Sequence, residues 1–131
     1  MLVKDLMKTD VATISPMATV RDALTAMHRQ GVKSLVSEKK DAHDAYGIVT
    51  YTGILHAIVA EEGDIDLMNV YDIYIKPAIA ISPEVDTKYV AQMMIRQNVK
   101  RLLVVDGNQL AGVISMSDIV GNILAMADQG P

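Results

Sequence analysis

Apolar and polar positions along the chain follow one order of short elements, which occurs twice. In the first half, an extended apolar stretch at 11–14 leads into Ser15-Pro16, where proline disfavours helix at the preceding serine. Thr19 and Asp22 then stand at the spacing of a capping pair, which predicts the start of a helix. Four apolar residues follow at the helical spacing i, i+3, i+4, i+7. They are Val20, Ala23, Leu24 and Met27.

Two short aliphatic runs and a second helix are predicted after each first helix. In the second half the runs at 101–105 and 110–115 flank Asp106-Gly107-Asn108, a strong hairpin-turn signal. The matching connection at 37–45 is longer and more polar, so we expect a surface loop there. The closing helices are predicted over 52–61 and 117–127. The order is therefore β-α-β-β-α, twice, in an α/β fold of the α+β type.

The second half of the chain is a copy of the first at an offset of 67 positions. Of the 34 positions aligned from 3–36, 11 are identical, including the two Ser-Pro pairs. This period is longer than that of a solenoid repeat, so the copies are two small folds. We place them at 2–60 and 69–127, joined by a linker at 61–68 whose acidic stretch is expected to be a solvated connector.

Composition excludes several classes of protein. The chain has 131 residues, no cysteine and a net charge of −4, so thiolate metal sites, disulfides and bulk positive charge for nucleic acid are excluded. Nine methionines and no phenylalanine or tryptophan favour thin aliphatic layers. The apolar stretch at 47–60 is too short and polar to cross a bilayer, and Lys4-Asp5 interrupts any secretory signal. We expect a soluble cytoplasmic protein with no membrane or nucleic-acid partner.

The residues at 112–119 carry the clearest chemical signature, Gly-Val-Ile-Ser-Met-Ser-Asp-Ile. Gly112 allows close backbone approach, and the Ser115 hydroxyl can meet an anion. Asp118 offers two acceptor oxygens for the vicinal hydroxyls of a ribose, while free amides at the helix start suit phosphate. The alternative is that Asp118 is an N-cap and Ser115 a solvated strand end. The two roles can coexist.

Within the duplicated frame, this signature resembles that of the cystathionine β-synthase (CBS) domain, arranged as the tandem pair called a Bateman module. The resemblance implies two copies packed through their sheets with pseudo-two-fold symmetry and a nucleotide cleft between them. Aliphatic side chains would sandwich adenine, and Lys100 with Arg101 would bind phosphate, unless these two are a solvated basic pair. The implied nucleotide-binding residues are Ala80, Ile81, Val85, Val99, Lys100, Arg101, Ser115, Met116 and Asp118.

The first copy departs from the signature because Gly53 stands where the acid belongs. A hydrogen bond to a charged group contributes about 1.5–3 kcal/mol, roughly ten- to a hundredfold in affinity. We therefore expect one good nucleoside site per chain and a second that is weak, empty or repurposed. The residues left for that weaker site are Thr13, Val32, Lys33 and Thr50.

The resemblance implies a regulatory, energy-sensing module that binds AMP, ADP or ATP and signals to a partner protein by a change of conformation. It also implies no enzyme activity and no obligatory cofactor, and we expect no metal site because His28, His43 and His56 are scattered. A homodimer is implied as well. S-adenosylmethionine or NAD(H) are alternative ligands, and a scaffold with a vestigial pocket is an alternative function. A hydrolase or transferase using Asp118 as a base is disfavoured because no second catalytic group accompanies it.

Overall fold

The computed structural model describes residues 1–130 and divides the chain into two compact units. One is the segment Val11–Ala78, and the other combines Met1–Asp10 with the chain from Ile79 onward. We call them the 11–78 unit and the 79–130 unit, the latter including residues 1–10. Across residues 1–130, no helix has both the length and the apolar character needed to cross a bilayer.

The order β-α-β-β-α predicted for each copy is present, and a short helix that was not predicted, at 3–6, precedes the first copy's first strand. In chain order the helices and strands are α1 (Val3–Leu6), β1 (Thr13–Ile14), α2 (Val20–Gln30), β2 (Ser34–Ser37), β3 (Gly47–Thr50), α3 (Tyr51–Ile54), β4 (Ala80–Ile81), α4 (Thr87–Gln97), β5 (Arg101–Asp106), β6 (Gln109–Ser115) and α5 (Met116–Asp128). A π-helical segment, Leu55–Ala60, extends α3, and a 3₁₀ turn, Val70–Asp72, precedes β4.

Each unit contains one three-stranded sheet of the same topology. The first strand is parallel to the second, and the second is antiparallel to the third, in the orders β1-β2-β3 and β4-β5-β6. The predicted hairpin between β5 and β6 is confirmed, and Gly107 in its turn has a φ of 64°. The α+β fold class is therefore confirmed in both halves of the chain.

Local capping defines both ends of α2, as its sequence predicts. The Thr19 hydroxyl accepts from the amide of Asp22 at 3.1 Å, and the Asp22 carboxylate accepts from the amide of Thr19 at 3.2 Å. The helix ends at Gly31, which has the left-handed φ of 65° that glycine adopts without steric strain. Val20, Ala23 and Met27 are buried, so the predicted apolar stripe faces the core.

The closing helix predicted over 52–61 is present, but it is not α-helical throughout. The α-helical part is α3 alone, and the next six residues are π-helical. The amide of Glu61 donates to the carbonyl of His56, five residues back, at 3.0 Å. Over a segment this short, apolar periodicity predicts a helix but does not distinguish a π-helix from an α-helix. The second closing helix, α5, agrees with its prediction.

The first residues of each sequence repeat pack in the unit formed by the other repeat. The amide of Val3 donates to the carbonyl of Val85 at 2.8 Å, and at equivalent positions the amide of Val70 donates to the carbonyl of Ala18 at 2.8 Å. Val3 and Val70 are both fully buried, each in the core of the unit it joins. The beginning of each copy thus completes the unit formed by the other copy.

The acidic linker is not only a solvated connector. Its apolar residues Ile65 and Met68 pack against the core of the 11–78 unit, and the Ile65 carbonyl accepts from the amide of Arg21 at 3.0 Å. The Arg21 guanidinium also donates two hydrogen bonds to Asp66. The expectation overlooked the apolar residues between the acids, which dock the segment while the carboxylates stay exposed.

The predicted surface loop between β2 and β3 is held by an ion pair to the end of the 11–78 unit. Lys76 Nζ lies 2.6 Å from Asp44 Oδ1, and the amide of Lys40 donates to Asp44 Oδ2 at 2.8 Å. The hydrogen bond from Lys76, followed by that from the Lys40 amide, lowers the pKa of Asp44 from 3.8 to about 2. A carboxyl whose pKa is lower in the folded than in the unfolded protein stabilises the fold only while it is ionised.

We expect the Asp44–Lys76 pair to contribute its full stability above about pH 4 and to lose it as the pH falls towards 2, because the folded-state pKa is the lower one. Lys76→Met should raise the pKa of Asp44 and flatten the decline of the unfolding free energy in that window. Carboxyl NMR titration and urea unfolding at several pH values measure both effects. Lys40→Met is the matched control, since its backbone amide is retained. An unchanged Asp44 pKa in Lys76→Met would contradict this assignment.

Candidate functional site

Ser115 and Asp118 form a closed capping box at the junction of β6 and α5. The Ser115 hydroxyl accepts from the amide of Asp118 at 3.1 Å, and Asp118 Oδ2 accepts from the amide of Ser115 at 2.8 Å. Ser115 is the N-cap, so the alternative that gave this role to Asp118 is wrong. Ser115 has an extended backbone, whereas Asp118 is the third residue of the helix and reaches back to it.

The capping box fixes the Asp118 carboxylate without using all of its acceptor capacity. An ionised carboxylate has about four lone-pair sites, and one of them accepts the Ser115 amide. The other oxygen, Oδ1, lies 3.7 Å from Lys8 Nζ, and the Asp118 side chain is 11% exposed. The result is an oriented carboxylate, almost buried, with an oxygen still able to accept hydrogen bonds.

Strand pairing brings the two predicted basic residues beside this capping box. Arg101 is the register partner of Ser115, and the carbonyl of Lys100 accepts from the amide of Met116 at 2.8 Å. The Lys100 residue is exposed and Arg101 half-buried. Within residues 1–130, neither side chain forms an ion pair with an acid. Two basic residues thus lie next to the start of α5. We call Lys100, Arg101, Ser115, Met116 and Asp118 the capped-helix site.

The predicted aliphatic residues are divided between sheet and core. Ala80 and Ile81 form β4 and pair with β5 two and three residues beyond Arg101. Val85 and Val99 pack against the buried core of the 79–130 unit. The structure therefore places β4 in the same sheet as the basic residues, whereas Val85 and Val99 first of all support the fold.

Gly112 accommodates the chain's own N-terminal segment. A Cβ at this position would lie 2.5 Å from the carbonyl oxygen of Lys8 and 3.0 Å from the sulfur of Met7. The close backbone approach expected of this glycine is made by Lys8. Sequence reasoning also missed Lys8 as a neighbour of Asp118. The only signal was that Lys8 aligns with an uncharged residue, Ile75, in the second copy.

The weaker site lacks the carboxylate and has little room for one. Thr50 caps α3, and its hydroxyl accepts from the amide of Gly53 at 3.3 Å. A Cβ on Gly53 would lie 3.0 Å from the carbonyl oxygen of Ile73, so a side chain there would press on the backbone. Strand pairing of Ser34 with Thr50 brings Lys33 close to this turn, Thr13 is exposed on β1, and Val32 packs against the core.

Metal ligation receives no geometric support among residues 1–130, where no group of three or more His, Cys, Asp or Glu side chains is arranged to hold an ion. The chemistry available at the capped-helix site is that of a fixed carboxylate, a strand end and two cations. The cations can bind an anionic group, and the carboxylate can accept hydrogen bonds from hydroxyl or amide donors.

Comparisons with known proteins bear on the fold described above. A protein of Methanopyrus kandleri is 28% identical over 120 residues, which cover 90% of this chain and 60% of that protein, so the chain spans less than two thirds of its length. A hexameric CBS-CP12 protein from bloom-forming cyanobacteria is 36% identical with a TM-score of 0.89, over 92% of this chain and 69% of that one.

A CBS domain protein of Pyrobaculum aerophilum, solved in complex with AMP, shares the fold. Its TM-score is 0.82 at 24% identity, over 98% of this chain and 99% of that one. The CBS domain family matches this chain twice, at residues 3–60 and 70–125. These matches confirm the resemblance found in the sequence: the chain belongs to the CBS domain family and carries two copies of the domain in tandem.

Proposed function

We propose that this chain is a regulatory module that binds an adenosine-containing nucleotide, AMP, ADP or ATP, at the capped-helix site. The observation that carries the proposal is the oriented, nearly buried carboxylate of Asp118 beside the basic residues Lys100 and Arg101, whose side chains form no ion pair within residues 1–130.

The chemistry of a nucleotide matches these groups one by one. Ribose hydroxyls can donate to the free acceptor sites of Asp118. Phosphate oxygens can accept from Lys100 and Arg101, and the guanidinium can do so with two parallel hydrogen bonds. The aliphatic strand β4 offers an apolar surface for adenine. The AMP complex of the P. aerophilum relative supports the choice of an adenosine ligand.

The module would act through binding linkage and not through turnover. A ligand that binds one conformation better shifts the population towards it, and a partner protein reads the change. We also propose a homodimer, because α5 exposes several large apolar residues, and the hexameric relative shows that a CBS-domain protein can assemble. These residues are Val120, Ile123, Leu124 and Met126.

A scaffold with a vestigial pocket is the second candidate, and one observation favours it. Ser115 and Asp118 already satisfy one another, so the signature has a structural role without any ligand. The scaffold would keep the dimer and bind no nucleotide. S-adenosylmethionine and NAD(H) remain alternative ligands under the sensor proposal because both contain adenosine.

Thermal unfolding in the presence of each adenosine ligand tests the proposal. A ligand at about 100 times its Kd should stabilise the native protein by about 2.7 kcal/mol, and the shift should be largest for AMP, ADP or ATP. No shift with any adenosine ligand, in a protein that is still dimeric by light scattering, would favour the scaffold. Nucleotide hydrolysis that disappears in Asp118→Asn would instead indicate an enzyme.

A further inference from the structure

We propose that Lys8, supplied by the N-terminal segment, binds the phosphate of the ligand at the capped-helix site and thereby selects nucleotides over neutral nucleosides. The inference rests on the proposed function, since it names a further residue of that same site. Lys8 lies outside the sequence signature and about 110 positions from Asp118, so the motif gives no indication of it.

The backbone of Lys8 is fixed next to the site. Its amide donates to the carbonyl of Val113 at 2.9 Å, and the amide of Val113 donates back to its carbonyl at 3.0 Å. Val113 is two residues before Ser115 on the same strand, and Gly112 leaves room for the Lys8 carbonyl. The position from which the lysine side chain extends is therefore set by two hydrogen bonds and a close packing contact.

The ammonium group of Lys8 is directed to the carboxylate and remains available to a second anion. Its Nζ lies 3.7 Å from Asp118 Oδ1, which is beyond hydrogen-bond distance, and the side chain is 75% exposed. A pair this exposed contributes little to stability. An ammonium has three donors. It can therefore stay near Asp118 and donate to the phosphate of a nucleotide while Asp118 binds the ribose of the same nucleotide.

The other unit is an internal control for the role of this side chain. At the equivalent position, Ile75 exchanges the same two backbone hydrogen bonds with Ile48, both at 2.9 Å. The equivalent of Asp118 there is Gly53. The same backbone arrangement therefore forms with neither the lysine nor the acid. The fold does not require a lysine at this position, and the charged pair occurs only in the unit that carries the complete signature.

Calorimetric titration of AMP and adenosine into the wild type, Lys8→Met and Lys8→Arg tests the proposal. We expect Lys8→Met to weaken AMP binding by about tenfold, with a smaller dependence on salt, and to change adenosine binding by less than about twofold. Lys8→Arg should retain most of the AMP affinity. Lys4→Met is the matched control, because Lys4 is an exposed lysine of the same segment that pairs with Glu84 instead.

Each contrary outcome has a distinct meaning. If Lys8→Met binds AMP with wild-type affinity and salt dependence, the role of Lys8 is overturned while the nucleotide site stands. Equal losses for AMP and adenosine would also overturn it, since Lys8 would then act through the position of Asp118. A wild-type protein that binds neither compound, and neither ADP nor ATP, overturns the proposed function, and the role of Lys8 with it.

Discussion

Asp118→Asn should weaken AMP binding by about ten- to a hundredfold while the protein stays folded. Asparagine has the same size and keeps a carbonyl oxygen that can accept from the Ser115 amide, so the cap is retained. It loses the negative charge and turns one acceptor into a donor, which removes the charged acceptor for the ribose hydroxyls. Hydrogen bonds to charged groups account for the size of the effect. Calorimetric titration measures it, with circular dichroism to verify folding.

The matched control for this change is Asp22→Asn. Asp22 occupies the same position in the capping box of α2 and accepts from the amide of Thr19, but it belongs to the 11–78 unit. The two variants should lose similar amounts of stability, and only Asp118→Asn should lose affinity. Wild-type AMP affinity in Asp118→Asn, or an equal loss in both variants, would show that Asp118 is only a capping residue.

Gly112→Ala should lower the free energy of unfolding by about 1–3 kcal/mol, the range expected when a methyl group is forced into a packed site. Its Cβ would lie 2.5 Å from the carbonyl oxygen of Lys8, which is backbone and cannot turn aside like a flexible side chain. The Lys8 carbonyl also accepts from the amide of Val113, so relief of the clash stretches that hydrogen bond. Urea unfolding measures the loss of stability.

Gly121→Ala, in the helix α5 that follows β6, should have the opposite effect on the free energy of unfolding. Gly121 lies within α5, where a Cβ meets no atom within 4 Å. Alanine there should stabilise the protein by about 0.5–1 kcal/mol, because glycine is a poor helix former. If Gly112→Ala is as stable as Gly121→Ala, the N-terminal segment does not pack against Gly112 in solution.

Features that depend on neighbouring residues could be predicted from the sequence. Thr19 and Asp22 identified the start of α2, and Asp106-Gly107-Asn108 identified the hairpin, because caps and turns are formed by residues a few positions apart. The duplication then extended each local prediction to the other copy. The capping box at Ser115 and Asp118 has the same spacing as that of α2, so the sequence can predict it too, although the alternative considered there gave the N-cap role to Asp118.

Features that depend on distant residues could not be predicted. The repeat alignment shows that Val3 and Val70 are equivalent. The same alignment would result if each residue packed within its own copy. Only the hydrogen bonds of these residues reveal that each completes the unit of the other copy. The approach of Lys8 to Asp118 follows from that packing, and the alignment of Lys8 with the uncharged Ile75 was the one sequence signal for this third positive charge.

The most direct test of the nucleotide site is an NMR titration of the isotope-labelled protein with AMP. We expect saturable shifts of the backbone amides of Lys100, Arg101, Ser115 and Asp118, with one molecule bound per chain. The equivalent turn at Thr50 and Gly53, which has no acid, should show much smaller changes at the same AMP concentration. Saturation centred on Thr50 and Gly53, or no saturable change at Ser115 and Asp118, would contradict the account.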